Sequence, residues 1–138
     1  MTLARFVDAQ REVHDRAIAE LVAGRKQSHW MWFVFPQIAG LGLSPMARRY
    51  AIADMAEARA YLSHPLLSTR LVAAGNAVLV WAGRRSTVEI LGDIDAVKLR
   101  SSMTLFDLAA KGEGPFAAVI GAFYGGKRDP ATIALAGT

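Results

Sequence analysis

Apolar residues recur along this chain with the period of an α-helix. Between residues 3 and 21 they fall three or four positions apart, a spacing that places their side chains on one face of a helix. Thr2 precedes this stripe as a candidate N-cap, and Gly24 follows it as a candidate stop. The pattern predicts a first amphipathic helix that runs to about Ala23.

Turn signals divide the rest of the chain into further helices. Ser44 and Asp54 are candidate caps with a proline or a helical pattern behind them, and Asp93 is the candidate cap of the last long helix. Residues 28–37 are too few for their period to decide between a buried helix and a strand. We predict one domain over residues 1–138, all-α or mainly α, with about six to eight helices.

Composition excludes several classes of protein. The chain is 53% hydrophobic and 20% charged, as expected of a folded domain rather than a disordered segment. It has no cysteine, which excludes disulfides, a thiolate nucleophile and cysteine-based metal sites. His14, His29 and His64 are far apart in sequence, so we predict no metal site, and no motif calls for a cofactor.

The sequence also constrains the cellular location of the protein and its macromolecular partners. The N-terminus lacks the pattern of a signal peptide, and the longest apolar stretch is too short to span a bilayer. The net charge is +4, but its basic doublets do not alternate with aromatic residues as in a single-strand groove. We therefore expect a cytoplasmic protein that binds neither membrane nor nucleic acid.

The segment 28–37 carries the most information about function. It contains two tryptophans, two phenylalanines, a histidine and a glutamine. Polar groups among aromatic rings are either satisfied parts of a core or the lining of a pocket. His29, Trp30, Trp32 and Gln37 are therefore candidate ligand-binding residues.

Polar residues also interrupt the apolar face of the last long helix. Asp95, Lys98 and Ser102 fall inside its apolar arc, whereas Ser101 and Thr104 are predicted to point elsewhere. Asp95 and Lys98 either form an ion pair with each other or line a cleft, because charged side chains are rarely buried without a partner. Gln10 and His14 raise the same question on the first helix.

Several motifs together resemble one family of small bacterial proteins. The segments HWMWFVFPQ (29–37), GLGLS (40–44), EARAYLSHPL (57–66), DAVKLRSSMTLF (95–106) and FYGGK (123–127), with Asp129 and Thr132, resemble the DUF1810 signature. His14 departs from it, since a tyrosine is expected there. The resemblance implies a mainly helical domain and brings no activity. A fainter similarity links the pattern around 64–66 and 92–95 to the NADAR/YbiA group, which is associated with N-glycosidic bonds of ADP-ribose-like or riboflavin-pathway compounds.

Two hypotheses for function follow. In the first, the protein binds or hydrolyses a small nucleotide-like metabolite. Trp30 or Trp32 stacks on the base or nicotinamide ring, and Asp95 acts as general acid/base or stabilises an oxocarbenium charge. Lys98 holds a phosphate or orients Asp95. The remaining candidates bind the sugar hydroxyls; these are Gln37 and Ser102.

The second hypothesis is a non-enzymatic interaction module. The aromatic segment then belongs to the core, and the family motifs maintain the fold. An apolar stretch at 133–136 leaves both a monomer and a homodimer open. The two hypotheses differ in whether the candidate polar residues meet in one pocket.

Overall fold

The computed structural model describes residues 3–137, and these form an all-α fold with one isolated β-bridge. The predicted fold class is confirmed, but the predicted six to eight helices are too few. Within the described residues there are ten: α1 (Ala4–Gln10), α2 (His14–Val22), α3 (Met31–Val34), α4 (Pro45–Arg49), α5 (Met55–Ser63), α6 (Pro65–Leu79), α7 (Thr87–Leu91), α8 (Asp93–Ala110), α9 (Phe116–Tyr124) and α10 (Pro130–Ala136).

The number of helices differs because the predicted first helix is divided in two. The Arg11 N–H donates to Asp8 O and the Val13 N–H to Gln10 O, so the helical bonding tightens and stops before α2 begins. The Gln10 amide then donates to Phe33 O, at 2.7 Å, from the end of α1. In the aromatic segment, which sequence left open, residues 31–34 form the short helix α3. Thr2, the predicted first cap, lies outside the described residues.

Of the three predicted caps within the described residues, two are confirmed. Ser44 accepts a hydrogen bond from the Ala47 N–H, and Asp54 accepts one from Glu57 N–H. The prediction for Asp93 is wrong. Gly92 is the N-cap and Asp93 is the first helical residue, so its charge acts on the helix dipole rather than through a cap hydrogen bond.

Helix α8 is the centre of the fold. It packs against α5, α7, α9 and α10, while α6 packs against α2, α5 and α9. Leu99, Met103 and Phe106 of α8 are fully buried, and the Phe106 ring lies 5.2 Å from that of Tyr61, between centroids. The N-terminal half of α8 leaves a face uncovered, where Asp93, Ile94 and Val97 are exposed, and this half carries Asp95 and Lys98.

A parallel bridge fixes the segment that follows α3. Ile52 N–H donates to Gln37 O, and Ala39 N–H donates to Ile52 O, both at 2.8 Å. Gln37 is thereby held beside the start of the glycine-rich loop. Across residues 3–137, no helix combines the length and the apolar character needed to cross a bilayer.

Candidate functional site

A cleft with two adjoining lobes lies along the N-terminal half of α8. The Lys26 lobe has a volume of about 520 Å³ and the Asp129 lobe about 490 Å³. Ile94 and Lys98 line both, so the lobes meet at these two side chains. The other walls of the Lys26 lobe are Lys26, His29, Met31, Trp32, Leu91, Gly92, Asp93 and Asp95. Those of the Asp129 lobe are Gln37, Leu41, Gly42, Val97, Ser101, Asp129 and Ala131.

Asp95 lies between two lysines in the Lys26 lobe. Lys26 Nζ is 3.0 Å from Asp95 Oδ2, and Lys98 Nζ is 3.6 Å from Asp95 Oδ1. Lys98 Nζ also lies 5.2 Å from the centre of the Trp32 ring, and Lys26 Nζ 5.3 Å from that of Trp30. The arrangement is a fixed carboxylate with a half-buried indole beside it.

Glu20 holds the loop that delivers Lys26 and His29 to the cleft. Its carboxylate accepts hydrogen bonds from the backbone N–H groups of Gln27 and Ser28, from Ser28 Oγ and from Trp30 Nε1. Burial opposes the charged form, but these hydrogen bonds outweigh it and lower the pKa of Glu20 to about 2. Glu20 was missed by sequence reasoning, because nothing in its spacing distinguishes it from a solvated helix residue.

Most of the candidate residues from sequence lie in the cleft. His29, Trp32, Asp95 and Lys98 line the Lys26 lobe, and Gln37 lines the Asp129 lobe. Residues from the loop before α3, from α3 itself, from the segment after it and from α8 are thus brought to one surface. Asp95 meets both expectations from sequence, because it is paired with Lys98 and also lines the cleft.

Two candidates lie elsewhere. Trp30 is fully buried and its indole donates to Glu20 Oε1 at 2.9 Å, so it supports the loop and does not line the cleft. Ser102 is also fully buried, at a level of α8 that other helices cover. Among residues 3–137 its Oγ has no hydrogen-bond partner. The helical period placed Ser102 on one face with Asp95 and Lys98, but the cleft continues along α8 through Val97 and Ser101 instead.

Ser101 and Asp129 are cleft residues that sequence reasoning did not select. Ser101 was expected to point elsewhere, but it lines the Asp129 lobe and its Oγ donates to Asp129 Oδ2 at 2.9 Å. Asp129 is the N-cap of α10 and accepts a further hydrogen bond from the Thr132 N–H at 3.3 Å. An aspartate followed by proline is a helix-start signal, so the cap was visible in the sequence, although its place in the cleft was not.

Asp129 is fixed from several sides. Its N–H donates to Thr104 Oγ1 at 2.9 Å, and Arg100 donates to the carbonyl oxygens of Lys127 and Arg128 just before it. Burial would raise the pKa of Asp129, but hydrogen bonds from Thr132 and Ser101 outweigh it and lower the pKa below its ordinary value. The cleft therefore contains a second charged and well-ordered carboxylate.

The remaining polar candidates do not join the cleft. Gln10 is buried and donates to Phe33 O and Tyr61 OH, which makes it part of the core. Burial and the nearby Arg70 lower the pKa of His14, which is half-buried at the start of α2. Across residues 3–137, no group of three histidine, aspartate or glutamate side chains could hold a metal ion.

Comparison with known proteins supports the family and the fold. The crystal structure of the conserved hypothetical protein Rv1873 from Mycobacterium tuberculosis, at 1.38 Å, is similar over 99% of this chain and 96% of that one. The sequences are 48% identical and the TM-score is 0.94. No curated protein matches. The faint similarity to the NADAR/YbiA group is not borne out. A family model described as a protein of unknown function matches residues 1–136, and the chain therefore belongs to the DUF1810 family.

Proposed function

We propose that the cleft binds a small nucleotide-like metabolite, with its base or nicotinamide ring against Trp32. The observation that carries this proposal is the placement of Asp95 between Lys26 and Lys98 in a lobe with an indole wall. Each lobe is in the usual volume range of small-molecule sites, which combine apolar walls with a few ordered polar groups.

The charged side chains of the Lys26 lobe balance one another, so the lobe repels neither a neutral base nor a pyridinium ring. Lys26 and Lys98 are balanced there by Asp93 and Asp95, and the indole offers a surface for stacking. Lys98 makes the looser of the two contacts with Asp95, 3.6 Å against 3.0 Å, and it also lines the second lobe. A single phosphate therefore fits beside Lys98, where the two lobes meet.

The reaction that suits this arrangement is hydrolysis of an N-glycosidic bond to nicotinamide. Asp95, positioned between two ammonium groups, accepts a proton from water as the water oxygen bonds to the anomeric carbon. The carbon–nitrogen bond breaks, and its electron pair passes to the ring nitrogen, which neutralises the pyridinium. Nicotinamide leaves without needing a proton, so Asp95 need not act as an acid.

A ligand screen tests the binding proposal. Purified protein is measured by thermal shift and calorimetry with AMP, ADP-ribose, NAD and nicotinamide mononucleotide. A ligand well above its dissociation constant raises the melting temperature. The rise is expected to disappear in folded Asp95→Asn/Lys98→Met. The matched control is Asp8→Asn/Arg11→Met, an i,i+3 pair whose side chains are 64% and 66% exposed and which does not line the cleft. A flat screen of the wild-type protein contradicts the proposal.

Product analysis tests the reaction separately. Chromatography of wild-type protein with nicotinamide mononucleotide should show release of nicotinamide and ribose 5-phosphate. Asp95→Asn should retain binding of AMP and lose this release. Binding without any release in the wild type leaves a binding protein and removes the enzymatic step.

A second candidate function is an interaction module, and one observation favours it. Ile94 and Val97, at i and i+3 on α8, are 73% and 66% exposed at the cleft. Exposed apolar pairs of this kind occur at protein interfaces. Sedimentation over a range of concentrations is the test. Self-association favours this candidate if Ile94→Ser/Val97→Ser abolishes it. The control is Val80→Ser, at an exposed residue just after α6, which should leave the association unchanged. A monomer at all concentrations counts against self-association.

A further inference from the structure

The Asp129 lobe contains a charged acceptor that the fold leaves available. Within the described residues, every hydrogen bond to the Asp129 carboxylate goes to Oδ2, from Ser101 Oγ, Thr132 N–H and Thr132 Oγ1. Oδ1 accepts none of them, and Asp129 lines the cleft. A carboxylate that is held by one oxygen and open at the other can accept two further hydrogen bonds.

The surroundings of this oxygen fit a sugar better than an anionic group. Leu41, Val97 and Ala131 form apolar walls, and Gln37 adds an amide that can both donate and accept. Another anion is disfavoured beside Asp129, because like charges repel. Hydroxyl groups that donate to Oδ1 suit the site, since hydrogen bonds to a charged acceptor are stronger than neutral ones.

We propose that the Asp129 lobe binds a sugar with a vicinal diol, such as ribose, and that Asp129 Oδ1 accepts hydrogen bonds from its hydroxyls. This proposal rests on the proposed function, which puts the ring in the Lys26 lobe and a phosphate beside Lys98. The sugar, which is bonded to both, then lies in the adjoining Asp129 lobe. The proposal assigns a ligand-binding role to Asp129 and narrows the ligand to ribonucleotide-like rather than deoxyribonucleotide-like compounds.

The test pairs a substitution in the protein with one in the ligand. The probes are AMP and 2′,3′-dideoxy-AMP, which differ only in the diol. Asp129→Asn keeps the cap, because asparagine is an equally good N-cap, but it puts an uncharged amide in place of the carboxylate. The control is Asp54→Asn, the same change at the N-cap of α5, whose cap residue does not line the cleft.

The expected result is a specific loss. Wild-type protein binds AMP about tenfold or more tightly than the dideoxy compound, and Asp129→Asn lowers AMP affinity to that level. Binding of the dideoxy compound is unchanged in Asp129→Asn, and Asp54→Asn behaves as wild type. Equal affinity of wild type for both probes overturns the sugar assignment while leaving the proposed function standing. A loss that Asp129→Asn produces for both probes also overturns it. If neither probe binds, the sugar assignment is overturned, and if the wider screen is also flat, the proposed function itself fails.

Discussion

Lys26 Nζ lies 3.0 Å from Asp95 Oδ2, which ties the loop before α3 to the first turn of α8. Their side chains are only 12% and 17% exposed, so this pair is better shielded from water than a surface pair. A double-mutant cycle with Lys26→Met and Asp95→Asn should give a coupling of about 1–2 kcal/mol in the free energy of unfolding.

The exposed pair Asp8–Arg11 is the reference for this cycle, measured by urea denaturation at low and high salt. Its coupling should be no more than about 0.5 kcal/mol and should vanish in high salt, because exposed pairs are screened. Equal coupling in both cycles contradicts the view that the cleft fixes the Lys26–Asp95 pair.

Glu20 should make stability depend on pH in the acid range. Its pKa is lowered from the ordinary 4.5 to about 2, so its contribution is fully present above pH 4.5 and is lost as pH falls towards 2. Glu20→Gln should therefore lower stability at neutral pH and leave it unchanged near pH 2. Because Glu20 is partly exposed, solvent screening reduces the expected difference at pH 7 to about 1 kcal/mol.

Unfolding followed by circular dichroism at several pH values measures the effect of Glu20. Glu12→Gln, at an exposed glutamate just before α2, is the control and should show little change at any pH. If Glu20→Gln lowers the free energy of unfolding equally at pH 2 and pH 7, then the shape of the Glu20 side chain holds the loop, and its charge does not.

Alanine substitutions at Gly24 and Gly83 distinguish the cost of backbone strain from the cost of a steric clash. Both adopt left-handed backbone angles, with φ of +73° and +74°. A Cβ at Gly24 would lie 2.8 Å from Trp81 Cε2, whereas one at Gly83 meets nothing within 4 Å. The Trp81 indole cannot move away easily, because it donates to Leu21 O at 2.8 Å. Gly83→Ala should cost about 1 kcal/mol, and Gly24→Ala about 2 kcal/mol more. Equal losses in the free energy of unfolding, measured by urea denaturation, would show that the Trp81 side chain moves to make room for the new methyl group.

Ser102→Ala distinguishes a structural from a functional role for a buried hydroxyl. Within residues 3–137, Ser102 Oγ is buried and has no hydrogen-bond partner. Removing an unsatisfied polar group from the interior should be neutral or stabilise the protein by up to about 1 kcal/mol. Affinity for AMP should not change. A loss of affinity in a variant of unchanged stability would restore Ser102 to the list of ligand-binding residues.

The fold was largely predictable from local signals. Pro45, Pro65 and Pro130 each stand at the first position of a helix behind a capping side chain, and the structure places helices there. The division between α1 and α2 was not predictable, because the apolar stripe runs through it without a break. What stops α1 is bonding across the fold, from Gln10 to Phe33 O, and no local pattern reports that.

The candidate site was predictable only in part, for a similar reason. Helical period placed Asp95, Lys98 and Ser102 on one face, but burial by neighbouring helices decides which of them reaches the cleft. Glu20 holds the loop before α3 from helix α2, and Asp129 contacts Ser101 and Thr104 of α8 from the start of α10. Their importance depends on tertiary contacts, so spacing along the chain gives no sign of it.

The three tryptophans differ in their surroundings, and this gives the protein its own optical reporter. Trp30 is fully buried, and Trp32 is half-buried in the cleft. Trp81, in the turn after α6, is half-buried away from the cleft, with the centre of its ring 4.8 Å from the Arg84 guanidinium. Emission from Trp32 should therefore be the component that a water-soluble quencher reaches at the cleft and that a bound ring shields. A chain in which phenylalanine replaces Trp81 would leave one accessible and one inaccessible fluorophore, so that occupancy of the cleft could be followed without any label.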